Sequence, residues 1–389
     1  MDKNSGIRQK REFIKKGIIC GGAVALSVNA GSTIFAGSGT NTGKSMESSD
    51  KPGRFSKEAR FQVQTPKGVR CMICPNECSI PEGAAGDCGN RRNFNGTLFS
   101  IAYGNPCSVH IDPVEKKPLM HFFPGSLAFS IATAGCNLVC MNCQNWTISQ
   151  TTPDKTINED LMPDKVVDGA LAGKCKSIAY TYSEPVTFYE YTCDTAKLAR
   201  SKGVKNILIS AGYIHEQPLR EMAMYIDAAN INLKSFSDEI YTKLNGGKLE
   251  PVLNTLKVLK EMKVWLEITN LIIPGWTDDL AMIKKMCGWL HTNGFDDNPL
   301  HFSRFHPEYR LTQVPSTPLE TLVKARNIAL DAGLHFVYIG NVANTDAENT
   351  NCPSCHKTVI LRKGYRILQN DIVTGKCRHC GHIIPGHWS

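Results

Sequence analysis

Three cysteines crowd one short stretch of this 389-residue chain: Cys136, Cys140 and Cys143, spaced C-x3-C-x2-C. Three thiolates on one loop can grip three irons of a cubane [4Fe-4S] cluster, which leaves the fourth iron without a protein ligand. Ordinary electron carriers supply four cysteines. A missing fourth ligand keeps a metal position open, as catalytic metal sites do. Free cysteines are often simply buried, but burial gives no reason for three to gather on one loop. The preceding run, Leu127 to Thr133, is apolar and β-prone, so the cysteines follow a strand end.

Two further groups hold eight of the sixteen cysteines. Cys71, Cys74, Cys78 and Cys88 are spaced C-x2-C-x3-C-x9-C, and Gly83, Gly86 and Gly89 let the backbone turn around an ion. This set suits a structural zinc or a second iron–sulfur cluster, with disulfides as the competing reading in an exported chain. Cys352, Cys355, Cys377 and Cys380 form two C-x2-C knuckles with 21 residues between them, flanking a hairpin-like segment from Val359 to Val373. They read as a zinc-ribbon-like module, with rubredoxin-like iron as the competitor. Cys107, Cys175, Cys193 and Cys287 read as plain core residues.

Gly135-Cys136-Asn137-Leu138, Cys143-Gln144-Asn145-Trp146 and the upstream Asp112-Pro113-Val114-Glu115-Lys116-Lys117-Pro118 carry a resemblance. Over Gly68 to Trp388 the chain resembles the AmmeMemoRadiSam system radical SAM enzymes, relatives of the pyruvate formate-lyase activating enzymes. The resemblance implies that the amino and carboxylate groups of S-adenosylmethionine (SAM) chelate the open iron. Reductive cleavage then gives methionine and a 5'-deoxyadenosyl radical, which abstracts hydrogen from a substrate. Glu184, in Ser183-Glu184-Pro185, matches a Gly-Gly-Glu-Pro type motif, and a carboxylate there suits the SAM ammonium; Ser183 belongs to the same motif. Lys234 matches the lysine of an Asp-Leu-Lys motif and suits the SAM carboxylate. His306 matches a histidine that approaches SAM, and Arg304 could hold a SAM or substrate oxygen. Two positions depart from the pattern. Asn232 replaces the motif's aspartate, and Asn142 replaces an aromatic residue that packs near the adenine.

Those residues need a scaffold. From Leu127 onward, short β-branched runs alternate with amphipathic stretches. Strands are expected near 128–134, 177–183, 206–211, 228–234, 264–272, 299–305 and 336–341. Helices are expected over 186–201, 249–262, 278–290 (entered through Thr277 as N-cap) and 319–331. Repeated βα units make an α/β fold with a parallel sheet. Six or seven units are too few for a closed eight-stranded ring, so a partial TIM-like (β/α) barrel of the radical SAM type is expected. Its strand ends carry the cysteines, Glu184, Lys234, Arg304 and His306, on the edge where barrels place chemistry. The charged stretch from Asp112 to His121 reads either as a solvated loop or as part of the site.

The chain divides into a signal-like segment (1–36), a linker (37–62), an N-terminal Cys-rich metal-binding module (63–110), the barrel (111–345) and the C-terminal module (346–389). Gln9-Lys10-Arg11-Glu12-Phe13-Ile14-Lys15 resembles a twin-arginine export motif with lysine in the first arginine position. It points to the periplasm, whereas SAM and a strong reductant are cytoplasmic resources. The apolar run after it is short for a transmembrane helix. The net charge is +8, and half of that excess lies in the first sixteen residues, so composition gives no strong nucleic-acid signal. Expected partners are SAM, a reductase or a flavodoxin/ferredoxin electron donor, and an unidentified protein or other macromolecular substrate. The alternative is a non-catalytic iron–sulfur and zinc protein for electron transfer or partner docking. That reading has no need of Glu184, Lys234 and His306 on one rim.

Overall fold

Seven apolar runs become parallel strands that lie side by side in chain order. In the computed structural model, which describes residues 51–343 and 345–388, they are β2 (Leu127–Ala132), β3 (Ser177–Tyr180), β4 (Lys205–Ser210), β5 (Ala228–Asn232), β6 (Trp265–Ile272), β7 (Leu300–Arg304) and β8 (Val337–Gly340). A strand not expected from the sequence, β1 (Ser108–Pro113), runs antiparallel to β2 and pairs Ser108 with Ala132. The sheet order is β1 to β8 without interruption. Each crossover carries one helix of eight residues or more: α1 (Pro163–Ala172), α2 (Tyr189–Ser201), α3 (Glu216–Ala223), α4 (Leu249–Glu261), α5 (Leu280–Thr292) and α6 (Leu319–Asp331). The signal-like segment and most of the expected linker lie outside the described residues. Among the described residues no helix is long and apolar enough to cross a membrane.

Helices α1 and α3 escape a periodicity search because each is short, ten and eight residues. Helix α1 contains Gly169, where a Cβ would lie 2.9 Å from the Phe129 ring, so glycine permits the helix to pack on β2. Helix α3 contains Pro218. Helix α5 is capped by Asp279, whose carboxylate accepts from Ala281 N at 3.0 Å. Thr277 instead accepts from Ile273 N and donates to Leu271 O, both at 2.8 Å, and so closes the turn after β6. Cys175, Cys193 and Cys287 are buried as expected, and Cys107 is half-buried.

Alternation along the strands separates two faces. Phe129, Ile131, Ile178, Leu208, Ile231, Leu266 and Ile268 join the large core that includes the helices. Ala128, Ala179, Ile207 and Ala228 face the other way and pack on Val114, Leu119, Phe122 and Phe123. The charged stretch from Asp112 to His121 is therefore no solvated loop. It fills the inner face near the strand starts, with Asp112, Glu115, Lys117 and His121 all buried. Glu267 secures it by accepting from Met120 N (2.9 Å) and His121 N (2.8 Å) while holding His301 at 2.7 Å. Asn230 donates to Pro118 O at 2.8 Å. The inner face near the strand starts is thus closed, and only the opposite strand ends can open onto a ligand.

The N-terminal module consists of two small antiparallel sheets. It begins before residue 63: Lys57–Glu58 pairs with Phe99 and Ser100, and Ala59 is buried. The C-terminal module docks on the filling segment through His121. Nδ1 lies 2.7 Å from Pro385 O, an acceptor only, so Nδ1 carries the proton. Nε2 then accepts from Tyr338 OH at 2.7 Å. Burial lowers the His121 pKa from 6.5 to about 4. The unfolded chain binds a proton between those values and the folded chain does not, so stability falls as pH drops from 6.5 toward 4. Urea titration across that range is expected to show a loss of about 3 kcal/mol, and the loss should flatten in His121→Gln.

Candidate active site

The loop after β2 is pinned from three sides. Gly135 takes φ +96°, and a Cβ there would fall 2.3 Å from Cys88 O and 2.9 Å from the Asn90 amide, so only glycine fits. Asn90 Nδ2 donates to Ala134 O at 2.5 Å. Asn137 Nδ2 donates to Tyr213 O at 2.8 Å, and Asn145 Nδ2 to Tyr182 O at 2.7 Å. On the third side, Val139 N and Met141 N donate to Asn245 O and Leu244 O, both at 2.9 Å. The acceptors belong to a π-helical turn, Tyr241–Asn245, a rare geometry that recurs at functional sites.

Cys136, Cys140 and Cys143 are free thiols on this loop. Burial pushes the Cys136 thiol well up, and the neighbouring Glu184 and Cys140 push it further. Burial and Cys140 do the same to Cys143. Lys234, at the end of β5, faces all three thiols and Glu184; their negative charge raises its pKa against the opposing effect of burial. One ammonium cannot balance three thiolates and a carboxylate in a low-dielectric pocket. The donor set therefore fits a multiply charged metal group, and a cubane held by three cysteines meets that requirement.

Glu184 is buried at the end of β3 with its carboxylate fully oriented. Oε1 accepts from Ser210 Oγ (2.7 Å) and Val186 N (3.2 Å), and Oε2 accepts from Ala211 N (2.8 Å). Ser183 Oγ donates to Thr133 O at 2.7 Å and ties β3 to the start of the cysteine loop. Arg304 Nε donates to Thr317 O at 2.8 Å. His306 is exposed, with Nδ1 3.2 Å from Ser316 Oγ. Lys234 and Glu184 are thus gathered with the three thiols, whereas Arg304 and His306 sit further along the rim.

A small cavity beside the loop is lined by Asn142, Asn232, Lys234, Asn245, Thr269 and Leu271 among others. The two positions that depart from the family pattern, Asn142 and Asn232, meet here with a third amide, Asn245. Asn142 Oδ1 and both polar atoms of the Asn245 amide are buried without partners. Buried orphan amides are costly, and a polar ligand group such as an adenine or ribose edge would satisfy them. Asn245 carries no local motif, so sequence reasoning had no signal for it.

The stretch after β1 also reaches the loop. Asp112 accepts from Lys117 Nζ at 2.7 Å and from Tyr182 OH. Lys117 Nζ lies 3.1 Å from the same hydroxyl. Burial lowers Lys117 to about 8 against the pull of Asp112. Tyr182, at φ +65°, is the residue whose carbonyl holds Asn145.

At the C-terminal module the four sulfurs lie within 4.8 Å of one another. Cys352 and Cys380 are 3.6 Å apart, and Cys355 and Cys377 are 3.7 Å apart. A tetrahedral ion with metal–sulfur bonds of about 2.3 Å sets its sulfurs about 3.8 Å apart, so the quartet matches one four-coordinate ion.

A three-thiol loop at the strand ends of an α/β sheet defines a class of iron–sulfur enzyme. The sequence profile of the Radical SAM superfamily matches residues 130–287. An uncharacterized protein of Methanocaldococcus jannaschii is 45% identical over 318 residues, covering 81% of this chain and 95% of that protein. Pyruvate formate-lyase 1-activating enzyme of Escherichia coli is 26% identical over 210 residues, covering 50% of this chain and 85% of the enzyme. A crystallised domain of pyruvate-formate lyase-activating enzyme from Bacteroides vulgatus superposes with a TM-score of 0.37 at 18% identity, covering 42% of this chain and 99% of that domain. The chain belongs to the Radical SAM superfamily.

The C-terminal quartet supplies the test for this part of the molecule. Cys377→Ala is expected to lose about one metal ion per chain by elemental analysis and to expose the 352–380 segment to protease, because a small module with few buried apolar side chains of its own depends on its ion to stay folded.

Proposed function

We propose that this enzyme cleaves SAM reductively at the Cys136, Cys140 and Cys143 loop and directs the resulting radical at a macromolecule, as an activase does. The observation that carries the reading is the convergence of three unpaired thiols, Lys234 and the oriented Glu184 carboxylate at one end of the sheet. We read the open, sequentially ordered sheet as a partial barrel of the radical SAM type, and the C-terminal quartet as a zinc site.

When bound, a [4Fe-4S] cluster with one open iron supplies the electron that splits the sulfonium into methionine and a 5'-deoxyadenosyl radical. The chain's own residues bind and orient. Glu184 keeps lone-pair capacity beyond its three hydrogen bonds and attracts the SAM ammonium. Lys234 is the cation for the SAM carboxylate. The amides of Asn142, Asn232 and Asn245 take the polar edge of the nucleoside in place of an aromatic stack. The filling segment below the cavity keeps water from entering through the strand starts.

A macromolecular substrate is supported by the open rim. Trp146 and Tyr309 stack there at 5.2 Å, and Arg310 lies over the Tyr309 ring. The Escherichia coli relative is an activating enzyme for another protein, pyruvate formate-lyase.

Anaerobic reconstitution, dithionite reduction and incubation with SAM should release 5'-deoxyadenosine, and Cys140→Ala should abolish it. Lys234→Met should raise the SAM KM about tenfold to a hundredfold, since a charge-assisted hydrogen bond contributes about 1.5–3 kcal/mol. A reconstituted cluster that never cleaves SAM would favour a non-catalytic iron–sulfur protein instead.

A further inference from the structure

Cys71, Cys74, Cys78 and Cys88 are all free thiols, and backbone bonds gather them. Cys71 N donates to Cys78 O at 3.0 Å, Glu77 N to Cys74 O at 3.1 Å, and Gly89 N to Gly86 O at 2.8 Å. A Cβ on Gly86 would lie 3.7 Å from Cys78 Sγ. Cys88 lies within electrostatic reach of Cys71, Cys74 and Cys78.

Their spread separates two kinds of site. Among the described residues, the C-terminal quartet is the one group of three or more ligating side chains whose atoms all lie within 4.8 Å. Neither the N-terminal quartet nor the catalytic three is such a group. A single tetrahedral ion requires the short spacing. A cubane requires a wider one, because each cysteine bonds a different iron. By this measure the N-terminal quartet resembles the catalytic loop, not the single-ion site.

Its position adds a second, independent argument. The Cys88 carbonyl is the atom against which Gly135 is packed. Asn76 Nδ2 donates to Asn137 O at 2.9 Å, and the Cys74 thiol interacts with the Asn137 side chain. Gly135 and Asn137 are the two chain neighbours of Cys136, with Cα atoms about 3.8 Å from it. The Arg91 guanidinium, buried and paired with Glu190 at 2.8 Å, lies near Cys71 and Cys88 and offsets negative charge there. On the outer side Cys78 is half-buried and its neighbour Ser79 exposed, so a donor protein can approach.

We propose that Cys71, Cys74, Cys78 and Cys88 hold a second iron–sulfur cluster that serves as the electron entry point for the catalytic loop. One electron passes from a low-potential ferredoxin or flavodoxin to this cluster. The cluster is reoxidised when the electron moves on to the iron held by Cys136, Cys140 and Cys143, and no bond or proton moves. The redox role rests on the SAM-cleaving reading above; the cluster itself does not.

The full chain is reconstituted anaerobically with iron and sulfide. A variant lacking all three catalytic thiols (C136A/C140A/C143A) should keep about four irons and show, after dithionite reduction, a paramagnetic signal that SAM leaves unchanged. Zinc in place of iron, or no metal, would overturn the proposal. Cys78→Ser in the otherwise intact chain should lose about four irons and keep the SAM-responsive signal. In that variant the ratio of ferredoxin-driven to dithionite-driven SAM cleavage should fall about tenfold or more; an unchanged ratio would sink the entry role. If wild type carries both clusters and never cleaves SAM, the functional reading fails, while iron in the three-thiol variant still upholds the second cluster.

Discussion

Uncompensated negative charge is the constraint on which the site depends. Three thiols and a buried carboxylate converge on one ammonium, that of Lys234. Burial raises the pKa of the Cys136 and Cys143 thiols, because ionising a group in a low dielectric is costly unless a cation compensates it. The arrangement is favourable only when filled by a metal group, and the surrounding structure holds the loop ready for one. Gly135 permits the close approach of the N-terminal module, and the π-helical turn takes the loop's backbone donors. The asparagine amides at either end lock it to strand ends β3 and β4.

The same constraint accounts for the closed opposite end. A sheet with small inner residues such as Ala128, Ala179 and Ala228 would leave a wet channel behind the cavity. The stretch from Val114 to Phe123 fills it, and several of the polar groups it brings along are satisfied: Met120 N and His121 N by Glu267, Pro118 O by Asn230, and the His121 ring by Pro385 and Tyr338. The C-terminal module completes this wall. Its cysteine quartet therefore lies toward one end of the sheet, and the three-thiol loop at the other.

Some of this was legible without coordinates. The spacing C-x3-C-x2-C specifies a three-thiol loop because loop cysteines close in sequence are necessarily close in space. The seven parallel strands show as apolar runs because buried parallel strands are apolar on both faces. The short C-x2-C knuckles likewise fix which four thiols share one ion. Helices α1 and α3 were not legible, since ten and eight residues span too few turns for a periodic signal to stand out. Strand β1 was hidden because its burial runs against its polarity: Ile111 is exposed while the charged Asp112 is buried, which does not look like a half-buried strand.

Local patterns, then, determined the chemistry available: three loop thiols, a lysine and a glutamate at strand ends, and two outer cysteine modules. Tertiary structure decided which of these meet. It brought Asn142 to the distant Asn232 and Asn245 in one amide-lined cavity, and it left Arg304 and His306 along the rim. It turned a charged stretch into interior filling and set the N-terminal quartet directly behind the catalytic loop. The reason is physical. Periodicity and spacing report on contacts within a few residues, whereas burial, charge compensation and long-range hydrogen bonds depend on where the crossovers carry each strand end.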